Sequence, residues 1–304
     1  MKKMLMAAGM AAVMTACGTA GQKAATDAGN PFLAEYSTPF GVPPFDLIKV
    51  EHYKEAFLKG MEEQKKEIDA IVNQRSVPDF DNTIAAFDQS GELLNKVSTV
   101  FSGLNSCNTN DEMQAFNKEI TPLLSAHRDD ISLNPALFAR VKEVYERREN
   151  LGLDKGQNKL LEETYKKFVR GGANLDSVDQ AKLRQLNSEI SMLQLTFGQN
   201  LLKETNAFEL VIDKKEDLAG LPESLVASAA EAAKGAGMEE KWLFTLHNPS
   251  VMPFLQYADN RELREKIFKG YINRGNNGNE ADNNEIVKKL VALRLEKAKL
   301  MGYA

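Results

Sequence analysis

The chain runs to 304 residues, of which 43% are hydrophobic and 27% charged, and its formal net charge is −5. That apolar share is enough for a packed core and argues against disorder over the whole length. A mildly acidic balance argues against nucleic acid as a partner, because such affinity needs clustered Lys and Arg to displace counterions. The length exceeds the common single-domain size of about 100–150 residues, so one large or two moderate units are expected.

Residues 1–16 read as a signal peptide. Met1-Lys2-Lys3 is a positive start, Met4 to Val13 is an apolar run rich in Ala and Met, and Thr15-Ala16 puts small residues just before Cys17. The run is shorter than the roughly 20 residues that span a bilayer, so it reads as a removable segment. Met14-Thr15-Ala16-Cys17 resembles the lipobox of bacterial lipoproteins, apart from Met14 where Leu is more usual. That resemblance implies a lipidation site at Cys17 and a lipid-anchored place in a bacterial cell envelope, facing the periplasm or on the outer membrane. A plain secretory signal with a chance cysteine also fits. Residues 17–30 are small and polar and suit a flexible tether. The second cysteine, Cys107, stands alone in the body and reads as a small buried apolar residue, so no disulfide framework is expected.

From about Ile48 the apolar residues recur at helical spacing. Tyr53, Phe57, Met61, Ile68 and Ile71 form a first stripe, and Ile84, Phe87, Leu94, Val97, Phe101 and Leu104 a second. Phe116, Ile120, Leu123 and His127 make a third, and Asn134-Pro135 opens a fourth helix with a cap residue and a proline in the first turn. The longest stripe, Leu183 to Leu201, alternates three- and four-residue steps like a coiled-coil seam, with Ser177 and Gln180 as a capping box. The period then changes to β-like over 207–212 and 241–246, around a helix from Pro222 to Ala233 that ends at Gly235 and Gly237. Helical spacing returns after Asn260, broken by the Gly275–Asn279 loop, which reads as a flexible turn. The last helix places Ile286, Leu290 and Leu293 on one face. The fold class expected is mainly α, with one small pair of strands.

Chemistry is sparse. A zincin site needs two histidines at i and i+4 on one helix with a Glu beside them, and none of His52, His127 and His247 has such a partner. His127 continues an apolar stripe and reads as a hydrogen-bonded core residue, and His247 as a turn or cap residue. The adjacent acids Glu62-Glu63, Asp129-Asp130, Glu162-Glu163 and Glu239-Glu240 do not face each other on a helix, so they read as solvated surface. No Gly-x-Ser-x-Gly elbow and no phosphate loop are present. No catalytic or metal-binding residue is assigned.

Three blocks carry a resemblance to a known family. One is Phe168-Val169-Arg170-Gly171-Gly172-Ala173-Asn174-Leu175, followed by the long helix with Phe197, Asn200 and Leu201. Phe208-Glu209-Leu210 with Trp242-Leu243-Phe244-Thr245-Leu246 is the second. The third joins Asn260-Arg261-Glu262-Leu263-Arg264 to the ending Leu293-Arg294-Leu295-Glu296-Lys297-Ala298-Lys299-Leu300-Met301-Gly302-Tyr303. In this order they resemble the thimet oligopeptidase and peptidyl-dipeptidase family of zinc metallopeptidases, and the Asn30-Pro31-Phe32 opening resembles its peptidyl-dipeptidase branch. The resemblance implies a helical wall of a deep channel that admits short peptides, zinc as cofactor held by a His-Glu-x-x-His motif downstream of Ala304, and release of C-terminal dipeptides. It also implies an N-terminal helical domain over 31–257, the start of a catalytic region over 258–304, inactivity of the 304-residue chain alone, and a monomer at full length. A non-catalytic helical lipoprotein that binds peptides or a protein partner is the alternative.

Overall fold

A computed structural model describes residues 29–303. The signal segment 1–16, Cys17 and most of the tether lie outside the described residues. After two short 3-10 turns, the helices run α1 Val50–Asn73, α2 Ala86–Gln89, α3 Glu92–Cys107, α4 Asp111–Ser132, α5 Pro135–Glu146, α6 Lys155–Arg170 and α7 Ser177–Ala207. The chain continues with β1 Leu210–Ile212, α8 Glu223–Gly235, β2 Trp242–Phe244, α9 Asn248–Tyr257, α10 Arg261–Ile272 and α11 Asn284–Leu300. The mainly helical class and the strand pair are as expected. β1 and β2 are antiparallel, with Leu210 opposite Phe244 and Ile212 opposite Trp242. Among the described residues, no helix is long and apolar enough to cross a membrane.

Three apolar clusters organise these elements. The first stripe of α1 is wholly buried, and Tyr53, Phe57, Phe101 and Phe116 bring α1, α3 and α4 together. The lower half of α1, through Ile68 and Ile71, packs with α5 and α6 around Ile84, Leu137, Val141 and Leu161. The third cluster covers β1 and β2 with α8, α9 and α10, around Phe244, Phe254 and Ile267. α1 and α3 approach closely because Gly60 has no side chain: a Cβ there would meet the backbone N of Leu94 at 2.8 Å.

Several local expectations are corrected. The second stripe is not one helix. A π-helical stretch, Phe80–Ala85, runs into α2, and Gly91 then breaks the chain in the left-handed region at φ 79° before α3 begins. Arg140 holds the π turn through Asn82 at 2.9 Å and Thr83 at 3.2 Å. The cap of α7 is Asp176, one residue before the expected Ser177, and its carboxylate accepts from Val178 N and Asp179 N, both at 2.9 Å. Leu123 is exposed on α4, and its neighbour Leu124 packs toward the core instead. Cys107 is exposed, because it is the last residue of α3 and lies beyond the turn that packs.

The long seam on α7 is also shallower than its pattern implies. Leu183 and Leu186 are buried, while Ile190, Leu193, Phe197 and Leu201 are only half-buried. α7 packs on α4 along one side and on α11 along another, so its apolar residues are shared between two narrow contacts.

Candidate functional site

α4 lies between α1 and α7. A helix held from both sides must bury residues on opposite faces, and His127 and Asp129, two positions apart, do this. His127 is 3% exposed and turns toward α1, where its Nε2 lies 2.7 Å from Gln64 Oε1. Asp129 is 7% exposed and turns toward α7, where it accepts from Asn187 Nδ2 at 2.8 Å. The expectation of a hydrogen-bonded core histidine holds. Asp129 corrects the reading of the adjacent acids as solvated, since α7 covers it.

The tautomer of His127 follows from its neighbours. Gln64 Nε2 reaches the Ser90 carbonyl at 3.4 Å, which fixes Nε2 as the donor end and Oε1 as the acceptor facing the ring. His127 Nε2 therefore carries the proton, and Nδ1 is a buried acceptor without a donor among the described residues. Burial holds the imidazole below its ordinary pKa, with Lys65 adding to the effect, so it stays neutral at pH 7.

Burial raises the Asp129 carboxyl above the usual carboxylate range, against the opposing hydrogen bond from Asn187. The next residue behaves oppositely. Burial pushes Asp130 up too, but Lys65 at 3.1 Å and Arg184 at 2.8 Å outweigh it and hold the carboxylate below its usual range. Asn187 then passes the line on, accepting from Lys297 Nζ of α11 at 2.6 Å. One polar row thus joins α4, α7 and α11.

This row lines a cleft of about 870 Å³. Its apolar side is Phe87, Leu94, Leu124, Ile131 and Phe168; its charged side is Arg128, Asp129, Lys167 and Lys297. Among the described residues, none of those three cations has a carboxylate within ion-pair distance, although most charged helix faces here are laced with pairs. A second hollow of about 710 Å³ around the Ser90–Gly91 turn shares Gln64, Leu94 and Ser98 with it. A third, of about 420 Å³, lies between α8, β2 and α9 and includes His247, but contains no buried titratable group.

The other histidines have separate partners. His52 Nδ1 accepts from Lys49 N at 3.1 Å, and His247 contacts Thr245 at 3.0 Å and Asn206 at 3.2 Å as the residue before α9. Among the described residues, no group of three or more His, Cys, Asp or Glu side chains could hold a metal ion. The residues that sequence reasoning missed are Asp129, Asn187 and Lys297. The one available signal was the two-residue offset of His127 and Asp129 on a helix with apolar residues on both sides.

No protein-family model matches the chain. It is 40% identical over 274 residues to dipeptidyl carboxypeptidase of Escherichia coli, covering 90% of this chain and 40% of that protein. Oligopeptidase A of the same organism is 27% identical over 278 residues, with 90% and 40% covered. The probable cytosolic oligopeptidase A of Arabidopsis thaliana is 28% identical over 283 residues, with 90% and 39% covered. The chain spans about two-fifths of the length of these relatives.

The relatives overturn the expected lipid-anchored location in the cell envelope. They are dipeptidyl carboxypeptidase and oligopeptidase A proteins, and one of them is named for the cytosol. Two lysines, a short apolar run and a cysteine form a degenerate pattern, which does not by itself fix a location. Homology across nine-tenths of its residues thus places the chain in the family of dipeptidyl carboxypeptidase and oligopeptidase A.

Proposed function

We propose that this chain is the N-terminal part of a peptidase acting on short peptides, and that it supplies a wall along which the peptide lies. The single observation that carries this reading is its 40% identity with a dipeptidyl carboxypeptidase over 90% of its own length. The cleft against α4 supports it, since it combines apolar lining with hydrogen-bonding groups, as a peptide requires. In the finer form, the peptidase uses zinc and removes dipeptides from C-termini.

Zinc does not fit the described residues, because they offer no cluster of ligands. In this reading the ligands and the general base belong to sequence other than residues 29–303, and what this chain's own side chains do is bind and orient. Residues 31–257 act in this reading as the helical domain and 258–304 as the start of the catalytic region.

Two measurements test it. The purified 304-residue chain should release no product from short peptides with or without added zinc; hydrolysis that persists in chelator would overturn the assignment of the chemistry elsewhere. Reading the coding sequence past codon 304 should give a His-Glu-x-x-His motif, and the longer product should release C-terminal dipeptides, scored by mass spectrometry. A stop codon at that point, with peptide binding but no hydrolysis, would favour the non-catalytic alternative.

A further inference from the structure

Residues 273–283 join α10 to α11, and one dipeptide among them is chemically distinct. Asn277-Gly278 is the chain's sole asparagine followed by glycine. Both residues are exposed and lie outside any helix or strand. Gly278 is left-handed at φ 62°, and a Cβ there would meet nothing within 4 Å, so no side chain shields its backbone nitrogen. That N–H donates to Asp282 Oδ2 at 2.9 Å. Asn277 donates from Nδ2 to the buried carboxylate of Glu204 at 2.9 Å and to Asn273 O at 3.0 Å. Its Oδ1 accepts nothing among the described residues. A backbone nitrogen held against a base thus adjoins a side-chain carbonyl open to water.

We propose that Asn277-Gly278 is a site of spontaneous deamidation, and that the acid formed there releases the loop between α10 and α11 from Glu204. Gly278 N attacks Asn277 Cγ, and Asp282 takes the proton from that nitrogen as the new N–C bond forms. The Cγ–Nδ2 bond then breaks. Nδ2 leaves as ammonia with the proton that Asp282 returns, and a cyclic succinimide remains. Water opens the ring at either carbonyl, giving an aspartyl or isoaspartyl residue at position 277. One water is consumed and one ammonia released, with no oxidant or reductant. The Asn-Ser steps Asn105-Ser106 in α3 and Asn187-Ser188 in α7 offer no such path, because the helix ladder engages their backbone N–H groups. Once the acid forms, Glu204 faces a second carboxylate where it had a donor at 2.9 Å, and two like charges at that spacing repel. Gly275 N and Asn279 Nδ2, the other donors to Glu204, then lose the group that gathers them. None of this chemistry depends on what the chain binds.

The test is to age the purified 304-residue chain at mildly alkaline pH and map it by proteolysis and mass spectrometry. The amide-to-acid mass gain should accumulate at Asn277 well ahead of Asn105 and Asn187, and part of the product should accept a methyl group from an isoaspartyl methyltransferase. Gly278→Ala, whose methyl crowds the attacking nitrogen, should slow the gain several-fold. The acidic form, separated by anion exchange, should exchange the Gly275 amide hydrogen about tenfold or more faster than the parent, as expected for losing a charge-assisted hydrogen bond. Asn277→Asp should reproduce that rate without ageing. Asn277→Ser removes the amide without adding charge and should raise the rate less, a split that loss of contact alone would not produce. Should Asn277→Asp fail to fold, the aged form decides, since it starts from folded protein. A mass gain at Asn277 no faster than at the helical asparagines overturns the site. Unchanged Gly275 exchange in the acidic form, or equal rates in the Ser and Asp variants, overturns the release.

Discussion

The hydroxyl of Tyr53 has no hydrogen-bond partner among the described residues, although the residue is 1% exposed. Its ring lies 5.2 Å from Phe32, 5.0 Å from Phe101 and 6.1 Å from Phe116, so the aromatic packing holds it in place while the oxygen goes unsatisfied. An unpaired buried hydroxyl costs about 1–3 kcal/mol, so Tyr53→Phe should leave stability unchanged or raise it. Burial, with Tyr36 adding, pushes the phenol from 10.0 up to about 12. The folded pKa exceeds the unfolded one, so stability is full below pH 10 and falls as pH rises toward 12. Tyr53→Phe should remove this component of the alkaline loss, as measured by urea unfolding at pH 7 and pH 11; an unchanged alkaline slope would refute it. At the same scale, the burial of Tyr53, Phe57 and His127 was legible in sequence, because each sits on a regular stripe. Asp129 was not, because its burial depends on α7, which is 48 or more positions away in the chain and invisible to local spacing.

Among elements, the loop between α10 and α11 shows most clearly what pattern alone leaves out. Its glycines and asparagines read as a flexible turn, yet Glu204 near the end of α7 gathers it. The buried carboxylate accepts from Gly275 N, from Asn277 Nδ2 at 2.9 Å and from Asn279 Nδ2 at 2.7 Å. Asn283 completes the attachment, donating to Phe197 O at 3.1 Å and accepting from Asn200 at 2.9 Å. Burial raises the Glu204 carboxyl, but these hydrogen bonds outweigh it and hold the group below its usual range. Glu204→Gln would turn an amide NH2 toward donors that need an acceptor. It should destabilise the protein by about 2–3 kcal/mol and speed hydrogen exchange in the loop. Exchange unchanged from the parent would sink this account. Most helices and the two strands were readable from period, whereas α6 was given no stripe of its own. The break at Gly91, the Asp176 cap and α9 were less so, because each is settled by backbone geometry or long-range packing rather than by apolar spacing.

At the scale of the whole molecule, one face of α11 remains uncovered. Val287, Val291 and Leu295, spaced four apart, are 45%, 62% and 55% exposed, and Phe268 and Ile272 on α10 are also exposed. Rows of this kind bind apolar dyes and promote aggregation in water. The triple change of Val287, Val291 and Leu295 to Lys should lower dye binding several-fold and slow aggregation without loss of helical signal; equal dye binding would place the sticky surface elsewhere.

α7 spans 31 residues, a rod of roughly 46 Å at 1.5 Å per residue. One end is tied to α4 by Arg184 to Asp130 and Asn187 to Asp129, and the other carries Glu204 and leads into β1. Everything after Ala207 therefore takes its azimuth from the number of residues in that rod. Removing one residue would rotate the strands and the third cluster by about 100° around its axis, whereas removing seven would keep the phase within about 20° and draw them in by about 10 Å. The helix is in this sense a gauge, and its residue count is under stronger constraint than the identity of its half-exposed side chains.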